Sequence, residues 1–226
     1  MERLYKIKKT EVEMMILRDY MISNVNVIKL DTQINYIPVD MTWITEPENT
    51  YEYFKNFIKK YKIFRDRYEF TSVYTHNNIP NKNVIVVYTK DVDDNFFTKF
   101  TKTYKHIIVI SNNLLPTKLM NKYQPTKIES FTDNELAFNR LKHAYSPISI
   151  EYIRNDMVEK WAQNEELPVK SLPLILDEDI IPKMYGAKTS GVFKMEQIGL
   201  NTETYIMYRL VRKTPDRIRE LLKTDK

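Results

Sequence analysis

Two runs of branched apolar residues, separated by an amphipathic stretch, constrain the fold of this chain more than any other feature. Residues 84–88 are Val-Ile-Val-Val-Tyr, and residues 107–110 are Ile-Ile-Val-Ile. Continuous apolar runs of this length are typical of parallel strands that are buried on both faces. Asp94 is placed to cap a helix over residues 95–104 between the two runs. We therefore predict a right-handed βαβ unit in the middle of the chain.

Capping patterns predict two helices before this unit. Thr10 and Glu13 form a capping box that would begin a helix extending to about residue 24. Asn49 and Glu52 indicate a second helix, whose apolar stripe we expect to pack in the core rather than to stack on bases. The stripe consists of Tyr53, Phe54, Phe57, Ile58 and Tyr61.

The remaining pattern predicts an α+β chain of two modules. Pro116 fits the first turn of a short helix that ends near Tyr123. The other expected elements are strands at 70–74, 192–195 and 205–211 and helices at about 156–163 and 179–185, the last ended by Gly186. The expected modules are residues 1–142, with helices and a sheet containing the βαβ unit, a smaller α+β module at 143–213, and an extension at 214–226 that could form a terminal helix.

Composition excludes several kinds of chemistry. The chain has no cysteine, which excludes disulfides, thiolate zinc sites, iron–sulfur clusters and cysteine nucleophiles. Its three glycines, Gly186, Gly191 and Gly199, cannot form a glycine-rich phosphate loop. No run approaches the roughly 18 apolar residues of a membrane helix, and no secretory signal begins the chain, so we expect an intracellular protein without membrane contact.

The positive charge of the chain is concentrated in its first two thirds. Lys and Arg outnumber Asp and Glu by 22 to 17 over residues 1–150, whereas residues 151–226 have 13 of each. Lys99, Lys102 and Lys105 recur every three residues, which would place them along one helix flank. This flank could be a solvated helix face or a patch that binds nucleic-acid phosphates.

No constellation of residues predicts a catalytic, metal or cofactor site. His76, His106 and His143 are far apart in the sequence, and no Asp or Glu is followed two residues later by Lys, the pair found in many metal-dependent nucleases. Asp91, Asp93 and Asp94 precede a predicted helix, where carboxylates favour the helix dipole. Two alternatives remain: an atypical metal-dependent nuclease built on these three carboxylates, and a free-standing basic DNA-binding protein.

A cluster of motifs in the last third resembles a known family. The cluster consists of Leu172-Pro173-x-Ile175, Asp179, Gly186-x-Lys188, Gly191-Val192-Phe193-Lys194 and Tyr205-x-x-Tyr208-Arg209. It resembles the assembly module of the fifth common subunit of eukaryotic RNA polymerases, a family that also has an archaeal member. Residues 128–147 are similar to the segment that joins this module to the family's N-terminal jaw module, and residues 84–110 are similar to the jaw core.

The resemblance implies a non-catalytic subunit of a multisubunit DNA-dependent RNA polymerase, whose active site lies on the large subunits. The jaw module would flank downstream duplex DNA, and the assembly module would dock on the largest subunit beside other subunits. The implied docking residues are His143, Pro147, Leu172, Pro173, Asp179, Gly186, Lys188, Lys194, Tyr205, Tyr208 and Arg209, and the candidate phosphate contacts are Lys99, Lys102 and Lys105. Composition and divergent motifs favour a large DNA virus, hence the virion or cytoplasm; a cellular subunit would be nuclear.

Two further expectations concern individual positions. Tyr205 and Tyr208 are three residues apart on a predicted strand, so they should lie on opposite faces, one of them in the core. The chain departs from the family pattern at Ser149, Ile180, Ser190 and Gln197. At Ser190 the family favours glycine, which leaves the geometry of that turn open.

Overall fold

The computed structural model describes residues 1–28, 34–37, 42–46, 48, 50–61, 64, 66–90, 94–199 and 203–215. It divides into two compact units, Met1–Phe138 and Asn139–Lys226. Each unit combines helices with a mixed sheet, so the predicted α+β class is confirmed. The predicted terminal helix lies in residues 216–226, outside the described residues. No helix in the described ranges is long and apolar enough to span a membrane.

The first unit is a six-stranded sheet with helices on both faces. In the order β2-β1-β3-β4-β5-β6, strands β4, β5 and β6 are parallel and the other neighbours are antiparallel. Its strands are β1 (Tyr20–Ile28), β2 (Ile34–Ile37), β3 (Ser72–His76), β4 (Asn83–Tyr88), β5 (His106–Ser111) and β6 (Lys127–Thr132). Its helices are α1 (Glu2–Leu17), α2 (Tyr51–Tyr61), α3 (Asp94–Thr101), α4 (Thr117–Lys122) and α5 (Asp133–Leu136), with 3₁₀ turns at Thr42–Thr45 and Tyr68–Phe70.

The predicted βαβ unit is confirmed. Strands β4 and β5 pair in parallel, with Ile85 opposite Ile107, and α3 connects them. Phe97 and Phe100 of α3 are buried against alternate residues of these strands, on one face of the sheet. The opposite face of the same strands packs elsewhere in the core, as expected for strands covered on both sides.

The prediction for the first helix is wrong at both ends. Helix α1 begins at Glu2, so Thr10 lies inside the helix and is buried instead of capping it. The helix ends at Leu17, Asp19 adopts a left-handed φ of 63°, and β1 begins at Tyr20. Pairing with β3 outweighs the helical spacing of the apolar residues, because a strand here completes the sheet.

A buried ionic network links α1 to the sheet. Lys8 and Glu11 are both fully buried, and Lys8 Nζ lies 2.8 Å from Glu11 Oε2. Tyr74 of β3 donates a hydrogen bond of 2.6 Å to Glu11 Oε1, and the Tyr88 hydroxyl of β4 donates to the other carboxylate oxygen. Burial lowers the pKa of Lys8, although Glu11 opposes the shift. The network satisfies polar groups that would otherwise be costly to bury.

The expectation that the α2 stripe packs rather than binds is confirmed at its centre. Phe54 is fully buried, with its ring centroid 5.7 Å from that of Phe64 and 4.9 Å from that of Tyr5. Tyr53 is about half exposed, and its ring lies 5.0 Å from that of Trp43. Phe54 is therefore part of an aromatic core, and Tyr53 lies at its rim.

A buried arginine joins the carboxyl ends of the parallel strands. Arg67 donates to the carbonyl oxygens of Thr89 (2.8 Å) and Ile110 (3.1 Å). Its guanidinium also forms a bidentate pair with Asp133, the first residue of α5, with one bond of 2.7 Å. Bidentate pairing of this kind fixes both distance and direction. Arg67 thus connects the ends of β4, β5 and β6.

The second unit is a four-stranded sheet in the order β7-β9-β10-β8. Strand β8 is parallel to β10, and the other neighbours are antiparallel. Its strands are β7 (Ser149–Ile153), β8 (Leu174–Leu176), β9 (Val192–Ile198) and β10 (Thr204–Arg212), with α6 (Val158–Asn164), α7 (Ile180–Tyr185) and 3₁₀ turns at Arg140–Lys142 and Val169–Ser171. One face of the sheet packs on α7 and the other on α6.

Candidate functional site

The end of α7 confirms the predicted role of Gly186. The helix stops at Tyr185, and Gly186 adopts φ 60° and ψ 32°, the left-handed conformation that glycine accepts without strain. Its backbone N–H donates to the carbonyl of Lys183 at 3.1 Å. Gly186 is therefore required by the turn and needs no contact with a partner.

Strand β8 forms one edge of the sheet and exposes backbone groups on its outer side. The carbonyl of Pro173 accepts from Leu210, and the N–H of Asp177 donates to Arg212, so these residues face β10. Since alternate residues of a parallel strand face opposite neighbours, the backbone groups of Leu174 and Leu176 point away from the sheet.

Two of the predicted docking residues close this edge. Arg209 Nη1 donates to the Leu174 carbonyl at 3.3 Å. Asp179 Oδ2 accepts from the Leu176 N–H at 3.0 Å, and the Asp179 N–H donates back to the Leu176 carbonyl, also at 3.0 Å. Open strand edges invite pairing with other chains, and these bonds occupy the edge internally. Asp179 and Arg209 thus have structural roles within the second unit.

The turn before β9 explains another part of the motif cluster. Gly191 is buried, and a Cβ placed there would lie 2.5 Å from the ring of Tyr152. The Tyr152 hydroxyl accepts from the Lys188 N–H at 2.8 Å, which holds the turn against β7. Ser190 adopts φ 69°, a left-handed conformation that favours glycine. Ser190 therefore adopts this turn at a cost in backbone strain.

The two tyrosines of β10 divide as predicted. Tyr208 packs on Trp161 of α6, with ring centroids 5.3 Å apart, and joins the core on that face. Tyr205 is 49% exposed, and its hydroxyl donates to Gln197 Oε1 at 2.7 Å. Gln197, another departure from the family pattern, thus orients Tyr205. Of the two rings, only Tyr205 offers a large exposed contact.

The remaining docking candidates occupy different parts of the second unit. His143 is exposed and, with partly buried Pro147, precedes β7, the edge of the sheet opposite β8. Lys188 is exposed in the turn before β9, and Lys194 lies opposite Glu151 of β7. Leu172 packs in the core on the α6 face. The structure therefore does not gather all the candidates into one site.

Sequence reasoning missed an exposed apolar group at the outer end of the β9–β10 hairpin. Ile198 is 62% exposed and Ile206 is 54% exposed. Ile198 of β9 lies opposite Thr204 of β10, so Ile206 is the diagonal neighbour of Ile198 on the same face of the sheet. The continuous apolar run at residues 205–208 of β10, with apolar side chains on both faces of the strand, is the sequence pattern that could have indicated Ile206.

The lysines predicted on one helix flank do not share a helix. Helix α3 ends at Thr101, so Lys99 is helical, whereas Lys102 and Lys105 lie in the connection to β5. A regular three-residue spacing predicted a longer helix, but the chain turns to begin the buried strand. All three side chains are exposed, and Lys127 adjoins Lys105 because its N–H donates to the Lys105 carbonyl at 2.9 Å.

The sequence did not predict a charged cluster around the carboxylate of Glu129, which Lys127 also contacts. Glu129 Oε1 lies 2.6 Å from Lys127 Nζ and 2.7 Å from His106 Nε2, and Glu129 Oε2 lies 2.9 Å from Arg18 Nη2. Burial raises the pKa of Glu129, but the three basic partners outweigh it and hold the pKa well below its usual value. Burial lowers the pKa of His106 despite its bond to Glu129, so the neutral ring donates from Nε2.

The carboxylates of the nuclease hypothesis are only partly within the described residues. Asp94 begins α3, whereas Asp91 and Asp93 lie outside those residues. In the ranges that are described, no three His, Asp or Glu side chains are grouped to hold a metal ion.

The second unit matches a known domain family. Residues 138–211 match the family model described as RNA polymerase Rpb5, C-terminal domain. This range includes all of the strands and helices that the structure describes in the second unit, except the last residue of β10. A search of curated proteins finds no match to this chain. The second unit is therefore similar to a domain of a DNA-directed RNA polymerase subunit.

More particularly, the second unit is an Rpb5 C-terminal domain, so the family resemblance found in the sequence is confirmed. Members of the Rpb5 family are non-catalytic subunits of RNA polymerase, and their partners are other polymerase subunits. The match begins at residue 138, where the first unit ends.

Proposed function

We propose that the second unit docks this chain on the largest polymerase subunit, while the first unit forms a jaw beside downstream duplex DNA. The observation that supports docking is the Rpb5 domain match over residues 138–211. The jaw role is supported by the excess of basic residues in the first part of the chain and by the exposed lysines around β5. Nucleotidyl transfer would take place on the large subunits.

The docking proposal centres on Tyr205. Asp179, Gly186 and Arg209 stabilise the second unit itself, and Tyr208 is part of its core. Tyr205 instead is about half exposed, and its hydrogen bond to Gln197 orients the ring. An aromatic ring held in this way gives a large contact area at little entropic cost, and such rings are common anchors in protein interfaces.

Replacement of Tyr205 by Ala tests this proposal. We expect Tyr205→Ala to reduce recovery of the large polymerase subunits with the tagged chain by about tenfold or more, as for an interface anchor. Tyr145→Ala is the matched control, because Tyr145 is a tyrosine of the same unit that is 88% exposed. Equal recovery with both variants would contradict a docking role for Tyr205.

The DNA proposal rests on charge alone and therefore predicts binding without sequence preference. Lys99, Lys102 and Lys105 are exposed and could contact phosphates of one duplex. Replacing all three with Glu should weaken retention of downstream DNA more at low salt than at high salt. The control makes the same charge change at three exposed lysines of the second unit, Lys160, Lys170 and Lys213. Equal losses at both salt concentrations would remove phosphate contact as the explanation.

A further inference from the structure

We propose that Lys127 is a further phosphate contact and that duplex DNA binding at this edge of the first unit is coupled to proton uptake by His106. The inference rests on the proposed DNA contact and deepens it, because it names an additional contact residue and the group that responds. It follows from the position of Lys127 between the exposed lysines and a buried carboxylate.

Lys127 is placed to exchange one anionic partner for another. Its side chain is 54% exposed, whereas those of Glu129 and His106 are 17% and 16% exposed. Lys105 adjoins it through the backbone bond from Lys127 to the Lys105 carbonyl. The ammonium of Lys127 can therefore turn from Glu129 toward a phosphate, while the rest of the cluster stays in the interior.

Such an exchange changes the charge balance around His106. In the free protein, Glu129 accepts from Lys127, from Arg18 after α1 and from the neutral His106 ring. The carboxylate of Glu129 favours the imidazolium form of His106, whereas the charges of Lys127 and Arg18 disfavour it. Tyr20, at the start of β1, lies near Arg18 and Glu129 and is neutral in this pH range.

When Lys127 moves to a phosphate, Glu129 loses one cation and His106 loses one repulsive neighbour. Both changes raise the pKa of His106, so the DNA-bound protein holds more protons than the free protein over the pH range in which His106 titrates. By linkage, DNA affinity must then rise as the pH falls through the titration range of His106. A single coupled group limits this rise to tenfold per pH unit.

The test compares DNA affinity across pH in the full chain. Fluorescence anisotropy with a labelled duplex of mixed sequence is measured at low salt from about pH 7.5 to about pH 5.5, where histidine titrates. We expect the wild-type affinity to rise about fivefold more over this interval than the affinity of His106→Gln, which keeps a side-chain donor for Glu129. His76→Gln is the control, because His76 is a histidine of the same unit that lies on β3, away from Lys127, and its loss should leave the wild-type pH dependence unchanged.

A second measurement does not depend on how the variants fold. Proton NMR of the wild-type chain follows the His106 ring during titration, with and without duplex, and the signal that disappears in His106→Gln assigns it. The proposal requires a higher pKa for His106 with duplex bound. An unchanged pKa, or equal pH dependence of wild type and His106→Gln, would overturn the coupling. Absence of any DNA binding would instead overturn the jaw proposal on which it rests.

Lys127→Gln separates the contact from the titration. It should lower the magnitude of the slope of log affinity against log salt by about 0.9, the value for one phosphate contact, and it should also abolish the extra pH dependence. An unchanged salt slope would show that Lys127 does not contact phosphate.

Discussion

Removal of the buried ammonium of Lys8 should destabilise the first unit strongly. Lys8 Nζ contacts Glu11 Oε1 at 2.9 Å, the Ser72 hydroxyl oxygen at 2.6 Å and the Phe70 carbonyl at 3.2 Å, and neither Lys8 nor Glu11 is exposed to solvent. Lys8→Met fills similar volume but leaves the Glu11 carboxylate without its cation. Breaking a buried pair in this way typically costs about 3–5 kcal/mol. That is a large fraction of the stability of an ordinary domain.

The double variant distinguishes a lost ion pair from a lost packing contact. In the double variant Lys8→Met with Glu11→Leu, neither charge of the ion pair remains buried. The double variant should therefore lose less unfolding free energy than Lys8→Met alone, by about 1 kcal/mol or more. The hydroxyls of Tyr74 and Tyr88 lose their acceptor in this variant, which limits the recovery. The single substitution therefore carries the main prediction.

Urea unfolding followed by tryptophan fluorescence measures this cost in the first unit. The chain has two tryptophans, Trp43 in the first unit and Trp161 in the second. A Trp161→Phe background leaves Trp43 as the reporter, and both variants and the parent are compared in that background. A loss below about 1 kcal/mol for Lys8→Met, the size of an ordinary surface change, would refute the reasoning, as would a double variant at least as unstable as the single one.

Further predictions concern the turn before β9, the Glu129 cluster and the nuclease alternative. Gly191→Ala should cost about 1–3 kcal/mol in urea unfolding of the second unit, because its Cβ meets the Tyr152 ring at 2.5 Å. Ser190→Gly should add about 1 kcal/mol by relieving the left-handed strain, measured in the same way, and no gain would contradict that strain. The lowered pKa of Glu129 stabilises the folded protein above the ordinary pKa of the carboxyl group, and this stability is lost as the pH falls below about 4.5. In acid-unfolding curves, Glu129→Gln should therefore lose less stability than the wild type below that pH. Parallel curves for the two proteins would argue against the lowered pKa. The isolated chain should not cleave duplex DNA with Mg²⁺ or Mn²⁺, and cleavage lost on replacing Asp94 would revive the nuclease hypothesis.

The sequence predicted those parts of the fold that local patterns determine. The βαβ unit followed from two continuous apolar runs, and the end of α7 followed from Gly186. The division of Tyr205 and Tyr208 between two faces followed from strand alternation alone. In each case the deciding interaction lies within a few residues of the pattern.

The features that were not predicted depend on partners far apart in the sequence. The capping pattern at Thr10 failed because Lys8 and Glu11 make buried contacts with β3 and β4, which extend the helix toward the N-terminus. Arg67 pairs with Asp133, 66 residues away. No local pattern indicates that charged residues at such separations will meet in the core.

The candidate site shows the same limit. Asp179 and Arg209 belong to the family motif, but the sequence could not show that they close the edge of β8, since Arg209 is 35 residues from its acceptor Leu174. Likewise, the lysine spacing predicted that Lys99, Lys102 and Lys105 form one basic group. It did not predict their arrangement, because α3 ends before Lys102. Lys127 and Glu129 are neighbours on β6, but only the parallel pairing of β5 with β6 brings His106 to the Glu129 carboxylate.

The central claim, that this chain is a polymerase subunit, is tested most directly by purifying it from its native source under moderate salt. A tagged chain is recovered, the bound proteins are identified by mass spectrometry, and the eluate is assayed for promoter-independent RNA synthesis. The account predicts two very large polymerase subunits in near-equal amounts with this chain, together with RNA synthesis. Recovery of the chain alone, without RNA synthesis, would contradict it.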